Sequence, residues 1–195
     1  MNHHPLAHFN TDWVTGKSSR WTSHFLEELG GKPCRILEVG SFEGRSACWF
    51  IHNLMSDPKA ELFCVDPWYG TGGAARLRLF DMNVALTGRS DQVHRTKARF
   101  TDIQHRFTSN QFDLIYIDGD HRAPAVITNA AIAWDKLKVG GLLLFDDYGL
   151  PAEKLHNPKP GDLPPGPAID AFLALWGSAA EVVHKEWQVL VRKVA

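Results

Sequence analysis

Four short apolar runs, separated by segments with helical spacing, constrain the fold of this chain more than any other feature. The runs are RILEV at 35–39, ELFCV at 61–65, FDLIYI at 112–117 and GLLLF at 141–145. The segments with helical spacing between them are 44–55, 74–86 and 122–137. A strand that is apolar at nearly every position must be covered on both faces, as in a parallel sheet with helical crossovers. The pattern therefore predicts a doubly wound α/β fold.

Both ends of the chain add predicted elements. SSRWTSHFLEELGG, from 18 to 31, has helical spacing and a Gly-Gly stop, which predicts a helix laid over the core. AIDAFLALW, from 168 to 176, predicts another helix, and EVVHKEWQVLVRKV, from 181 to 194, predicts two short strands paired at the sheet edge. PKPGDLPPGP, from 158 to 167, holds five of the eleven prolines and predicts a loop or a lid.

The composition restricts the classes of partner. A formal net charge of -1, from 21 Lys and Arg against 22 Asp and Glu, gives no electrostatic reason to expect nucleic acid or an anionic membrane. No run of about 18 apolar residues occurs, and the first residues lack the apolar stretch of a signal peptide. Cys34, Cys48 and Cys64 form no C-x-x-C pair and are expected to be reduced core thiols. These features predict a soluble, cytoplasmic protein.

The residues after the first two apolar runs indicate a nucleotide-type site, because ligands of open α/β sheets bind beyond the carboxyl ends of the strands. In EVGSFEGRS, Glu38 ends the strand, and Gly40 and Gly44 flank a turn into a helix. Glycine lets the backbone approach a ligand, and a helix start offers free N–H groups. Asp66 follows the second run, 26 positions after Gly40, where an acid accepts hydrogen bonds from a ribose. The alternative is that this strand-to-helix turn has a purely structural role and binds no ligand.

The glycine spacing does not fit the dinucleotide fingerprint, which would need glycine where this chain has Phe42 and Arg45. LEVGSFEGRS and FCVDPW instead resemble the first and second cofactor motifs of class I S-adenosylmethionine-dependent methyltransferases, over roughly 35–147. The chain is most similar to the small O-methyltransferases of the catechol, caffeoyl-CoA and macrocin types. The resemblance implies a Rossmann-like seven-stranded sheet, mostly parallel with an antiparallel C-terminal edge hairpin and with helices on both faces.

The resemblance also implies that S-adenosylmethionine is bound by the residues of these motifs. The expected cofactor-binding residues are Glu38, Gly40, Ser41, Gly44, Ser46, Asp66, Trp68 and Asp118. Ser46 matches the family better than Ser41 as a contact of the methionine carboxylate, although a serine in a first helical turn often only caps the helix. Trp68 either contacts the adenine or packs in the core.

Acidic side chains follow the two later runs, as IDGDH and FDDYG. Crowded carboxylates repel each other unless a positive group lies among them, and Mg²⁺ or another hard divalent cation binds through oxygen. The resemblance makes Asp118, Asp146 and Asp147 the metal ligands. His121 lies where such enzymes often have a catalytic lysine, so His121, with Asp120, is the predicted base for a hydroxyl acceptor.

Three other functions remain open from the sequence. A metal-independent N- or O-methyltransferase would use the acids only to orient the cofactor and cap loops. A nicotinamide-dependent oxidoreductase lacks its third glycine, and a non-catalytic cofactor-binding module has no use for the acidic cluster. The macrocin-like enzymes have Leu-Tyr where this chain has His121-Arg122. This difference indicates that the part of the site that binds the acceptor differs from theirs.

The expected organisation is a single methyltransferase domain over 1–195. Its expected parts are an N-terminal helical cover at 1–31, the cofactor-binding core at 32–147, a loop or lid at 148–167, and a C-terminal helix with a strand pair at 168–195. The expected partner is a small-molecule acceptor, without nucleic acid or membrane. The resemblance adds a homodimer as an expectation.

Overall fold

The computed structural model describes residues 7–195, so the first six residues of the expected helical cover lie outside the described part. Contacts group the chain into two compact units, Met1–Ala98 and Arg99–Ala195. Seven strands form one mixed sheet, with three strands in the first unit and four in the second. This confirms the predicted seven-stranded, mostly parallel class.

The first unit alternates helices and strands as its sequence pattern predicts. Its elements are α1 (Ser18–Leu29), β1 (Arg35–Val39), α2 (Arg45–Leu54), β2 (Glu61–Asp66), α3 (Gly73–Ala85) and β3 (Val93–Lys97). β2 lies between β1 and β3 and pairs in parallel with both. β3 was not predicted, because this strand has a single neighbour and mostly half-exposed or exposed side chains, which leave no apolar run.

The helix predicted over the core is α1, and aromatic side chains attach it to α2. Trp21 stacks on Phe50 at a centroid distance of 5.3 Å and meets Trp49 edge-on at 5.1 Å. All three side chains are buried. Within the described residues 7–31 of this predicted cover, the helix spans Ser18–Leu29. Before α1, the carboxylate of Asp12 accepts the N–H groups of Val14 and Thr15 and forms a turn in place of a helix.

The second unit contains the end of the sheet with mixed strand directions. Its elements are α4 (Phe100–Ile103), β4 (Phe112–Ile117), α5 (Ala123–Lys136), β5 (Leu137–Phe145), α6 (Pro165–Trp176), β6 (Ala180–Lys185) and β7 (Val189–Lys193). β4 and β5 are parallel, whereas β7 is antiparallel to both β5 and β6. The predicted antiparallel edge hairpin is therefore confirmed.

The proline-rich segment ends earlier than the expected boundary at 167. α6 begins at Pro165, because proline lacks only an N–H that the first helical turn does not need, and its fixed φ suits that position. The remaining loop contains one short 3-10 helix, Ala152–Lys154. Phe172 of α6 packs edge-on against Phe145 of β5 and Trp134 of α5, which builds the core of this unit.

Two further features agree with the sequence. Cys34, Cys48 and Cys64 are buried, and none of the three is in a disulfide. Among residues 7–195, no helix is both long and apolar enough to cross a membrane.

Candidate functional site

The turn between β1 and α2 has a backbone that only glycine adopts without strain. Gly40 and Gly44 have φ values of 92° and 81°. A Cβ atom at Gly44 would lie 3.0 Å from Cδ2 of Phe80. The carboxylate of Asp66 fixes this turn, because its Oδ2 accepts the N–H groups of Ser41 and Phe42, both at 3.0 Å. Three backbone N–H groups bond to Asp66 in all, and a carboxylate has further acceptor capacity for a hydroxyl group.

Two serines of the turn have different surroundings. Ser41 is 1% exposed, and its Oγ has no hydrogen-bond partner among the described residues. A buried hydroxyl group without a hydrogen-bond partner lowers the stability of the folded state unless a ligand or a water molecule bonds to it. Ser46, which was the better match for the cofactor carboxylate, instead donates its hydroxyl to Glu38. Through this hydrogen bond, the Ser46 side chain stabilises the carboxylate of Glu38.

Glu38 is fully buried at the end of β1 and also accepts a hydrogen bond from the thiol of Cys64 at 3.5 Å. Burial, followed by the nearby charge of Glu38, raises the pKa of the Cys64 thiol well above its usual value. The same two causes raise the pKa of Cys48 to about 12. Both thiols therefore stay protonated at neutral pH.

Trp68 is 4% exposed and packs on Phe80 at a centroid distance of 5.2 Å. Its indole N–H donates to the carbonyl of Phe42 at 2.7 Å. Packing, which the sequence left open as an alternative, accounts for this side chain, and a direct contact with the adenine stays a prediction.

A strap of the N-terminal segment, residues 8–12, lies on the same turn. Glu43 is 3% exposed and accepts the N–H and the side-chain amide of Asn10, at 2.8 and 2.7 Å. Arg45 pairs with Asp12 at 3.1 Å. No sequence pattern predicts this strap, because single polar contacts across more than 30 positions leave no periodicity.

In the second unit, Asp118, His121 and Asp147 form one group. Nε2 of His121 lies 3.5 Å from Oδ1 of Asp118 and 3.2 Å from Oδ2 of Asp147. One potential ligand atom of each residue lies within 4.8 Å of the other two, so the three side chains could together hold a metal ion. Asp147 has a φ of 58°, a left-handed conformation that few residues other than glycine adopt and that often occurs at functional sites.

The pKa of His121 reflects this group. Burial alone would lower it, but the hydrogen bond and charge of Asp118, followed by the charges of Asp147 and Asp146, outweigh burial and raise the pKa above its usual value. The two neighbouring carboxylates therefore favour the protonated imidazole more than water does in a free histidine.

Asp146, the third predicted ligand, does not join this group. It is 4% exposed, and its carboxylate contacts Tyr116, Gln188 and the N–H of Asp147. The Tyr116 hydroxyl lies between Asp146 and Asp118, 2.8 Å from the latter. Asp146 therefore supports the group from the buried side. Tyr116 was missed, although a tyrosine two positions before Asp118 in a doubly covered strand was a usable signal, since both face the same side.

Asp120, the second predicted catalytic residue, pairs with Arg122 at 3.1 Å. The guanidinium of Arg122 also contacts Asp162 at 3.1 Å and donates to the carbonyl of His156 at 2.8 Å. Asp120 thus belongs to an anchor that fixes the proline-rich loop. Whether that loop acts as a lid stays a prediction.

Trp187, in the turn between β6 and β7, donates its indole N–H to Oδ1 of Asp147 at 3.0 Å. Gln188 follows it and donates to Asp146 at 3.1 Å. Neither residue was predicted, because a turn forty positions from the acidic pair gives no local signal for such contacts.

Comparisons with known proteins agree with this architecture. A family model described as a methyltransferase domain matches residues 37–148. The O-methyltransferase hkm8 of Aspergillus hancockii is 28% identical over 127 residues, which are 65% of this chain and 47% of hkm8. The chain matches 62% and 47% of the lengths of its two curated relatives.

Solved structures share the fold. Rv0187 from MTB, in a cofactor-bound crystal structure, has a TM-score of 0.68 and 16% identity, over 96% of this chain and 84% of that one. TomG from Streptomyces achromogenes, an O-methyltransferase in complex with SAM, has a TM-score of 0.63 and 18% identity, over 83% of this chain and 73% of TomG. The expected Rossmann-like fold is thereby confirmed.

Proposed function

This chain belongs to the family described as a methyltransferase domain, and we propose that it transfers a methyl group from S-adenosylmethionine to a hydroxyl group of a small molecule. A divalent cation would assist the reaction. The observation that supports a hydroxyl group as the methyl acceptor is the group of Asp118, His121 and Asp147. It combines a base with two carboxylates after the parallel strands β4 and β5, where ligands of such sheets bind.

The first unit fits the cofactor. The glycine turn offers a close backbone approach at Gly40 and Gly44, and the buried Oγ of Ser41 is a donor in need of an acceptor. Asp66 keeps acceptor capacity for a ribose hydroxyl. We assign Glu38 and Ser46 to the support of this turn, since each bonds to the other.

The second unit fits acceptor activation. Asp118 and Asp147 provide the oxygen ligands that Mg²⁺ prefers. A bound cation would supply positive charge that orients a hydroxyl group and lowers its pKa. His121, which contacts both carboxylates, then takes the proton.

The test measures formation of S-adenosylhomocysteine with catechol and cis-cyclohexane-1,2-diol as probe acceptors, in Mg²⁺ or in excess chelator. We expect turnover that chelator abolishes. His121→Asn should lower kcat about 100-fold or more. His105→Asn, an exposed histidine in the same unit, should change kcat less than about twofold.

Turnover that chelator leaves unchanged would replace this proposal with the metal-independent transferase. Equal rates for the two histidine variants would remove His121 as the base. A protein that binds the cofactor but forms no product from any hydroxyl compound would contradict the hydroxyl acceptor and favour the non-catalytic alternative.

A further inference from the structure

We propose that the N-terminal strap, residues 8–12, is a positioning element for the cofactor, because it holds the glycine turn between β1 and α2 in the conformation that binds S-adenosylmethionine. The inference rests on the proposed function and adds how cofactor binding is regulated at that site, since ordering of the strap and binding of the cofactor are coupled. The strap and Trp13, which follows it, together contact three residues of the turn and of the start of α2, namely Phe42, Glu43 and Arg45.

The carboxylate of Glu43 is the main attachment of the strap. It is 3% exposed, and each of its oxygens accepts a hydrogen bond from Asn10, one from the backbone N–H at 2.8 Å and one from the side-chain amide at 2.7 Å. A carboxylate is stable in a buried position only while hydrogen-bond donors satisfy it, and hydrogen bonds to a charged acceptor are among the stronger ones. Removal of the Asn10 amide would therefore drive Glu43 towards water and displace the backbone of the turn.

Asn83 of α3 joins the strap to the backbone of the same residue. Its side chain is 1% exposed, and its Oδ1 accepts the N–H of His8 at 3.0 Å. Its Nδ2 donates to the carbonyls of His8 and Glu43, at 2.8 and 2.9 Å. Strap and turn thus share one buried amide group, so a movement of either changes the hydrogen bonds of the other.

Two further contacts lie on either side of Glu43. Phe42 has a φ of 47°, a conformation that costs free energy in a residue with a side chain unless the surroundings hold it. Its ring packs against that of Trp13 at a centroid distance of 5.4 Å. Arg45, the first residue of α2, pairs with Asp12 at 3.1 Å. The N-terminal segment therefore restrains the strained part of the turn and the start of the helix that follows it.

The predicted cofactor contacts and the residues held by the N-terminal segment belong to the same five-residue turn. Gly40, Ser41 and Gly44 are the predicted contacts, and Phe42 and Glu43 lie between them. The two sets share one short stretch of backbone, so neither can move without the other. Two interactions that favour the same conformation of one element are coupled, and the coupling is reciprocal. Whatever the strap adds to the affinity for the cofactor, the cofactor adds to the stability of the strap.

A pair of substitutions that exchanges donor and acceptor tests this role. Asn10→Asp replaces the donating amide with a carboxylate that repels Glu43, and it should weaken the binding of S-adenosylhomocysteine about fivefold or more in a calorimetric titration. The double variant Asn10→Asp/Glu43→Gln places an amide opposite the new carboxylate and should return the affinity to within about threefold of wild type. Ser90→Asp adds the same charge at an exposed position of the same unit and should change the affinity less than about twofold.

Hydrogen–deuterium exchange of wild type gives a second readout, which a merely structural strap would not change. The backbone N–H of Asn10 bonds to Glu43, so saturation with S-adenosylhomocysteine should slow its exchange about fivefold or more. This measurement decides the question if Asn10→Asp does not fold.

Three results would overturn the positioning role and leave the methyltransferase proposal intact. They are equal affinities of wild type and folded Asn10→Asp for S-adenosylhomocysteine, a double variant that binds as weakly as Asn10→Asp, and exchange at Asn10 that S-adenosylhomocysteine leaves unchanged. Failure of folded wild type to bind S-adenosylhomocysteine would instead contradict the proposed function.

Discussion

The carboxylate of Asp66, at the end of β2, accepts a hydrogen bond from the backbone N–H of Ser41, which follows β1, at a distance of 3.0 Å. It also accepts the N–H groups of Phe42 and Trp68, at 3.0 and 2.7 Å. One side chain therefore fixes the turns after two neighbouring strands, and these turns hold half of the residues predicted to bind the cofactor.

Asp66→Asn should loosen the turn after β1. The amide keeps the shape of the carboxylate but replaces one acceptor oxygen with a donor, so at least one of the three backbone hydrogen bonds is lost. We expect the amide protons of Ser41 and Phe42 to exchange about tenfold faster or more, as followed by hydrogen–deuterium exchange. Asp91→Asn, an exposed site in the same unit, is the control. Unchanged exchange in Asp66→Asn would show that the turn does not depend on this carboxylate.

Ser46→Ala should destabilise the protein. Glu38 is fully buried and accepts the Ser46 hydroxyl, so the variant removes a donor from a carboxylate that water does not reach. The expected loss is about 1–3 kcal/mol in the free energy of unfolding, measured with urea. Ser23→Ala removes an exposed helical hydroxyl and should cost less than about 0.5 kcal/mol. Equal stability of the two variants would mean that other groups satisfy Glu38.

The N-terminal strap predicts a pH-dependent stability. Burial alone would raise the pKa of Asp12, but hydrogen bonds from Thr15, Arg45 and Val14 outweigh it and hold the pKa well below its usual value. A lowered pKa stabilises the folded state above the unfolded value, near pH ~4, and this contribution is lost as the pH falls further.

Asp12→Asn should therefore be less stable than wild type at about pH 7, and the difference should shrink towards about pH 2. Urea unfolding of both proteins at the two pH values measures the difference. A difference that stays constant with pH would show that Asp12 does not act through its charge.

Much of the fold was predictable because burial on both faces leaves a readable pattern. The runs at 35–39 and 112–117 became β1 and β4 with the predicted bounds. β3 was missed since an edge strand needs few apolar residues. β5 begins four residues before the predicted run, because 138–140 are half-exposed or exposed and the pairing with β4 shifts there.

The candidate site was predictable where it follows strand ends and not where it depends on side-chain direction. Asp118 and Asp147 meet as the strand order implies. Asp146 and Asp120 are sequence neighbours of residues in this group, but their carboxylates do not join it. Asp146 contacts Tyr116, and Asp120 contacts Arg122. Residue type and spacing place a carboxylate at a rim, but neighbouring side chains decide which way it points.

The most direct test of the account is a calorimetric titration of S-adenosylhomocysteine into wild type, Gly44→Ala and Gly16→Ala. Gly44 has a φ of 81°, and a Cβ atom there would lie 3.0 Å from Cδ2 of Phe80, whereas nothing lies within 4 Å of a Cβ at Gly16. The account predicts saturable one-to-one binding to wild type and Gly16→Ala, and binding about tenfold weaker or more in Gly44→Ala. Absence of binding to folded wild type would contradict it.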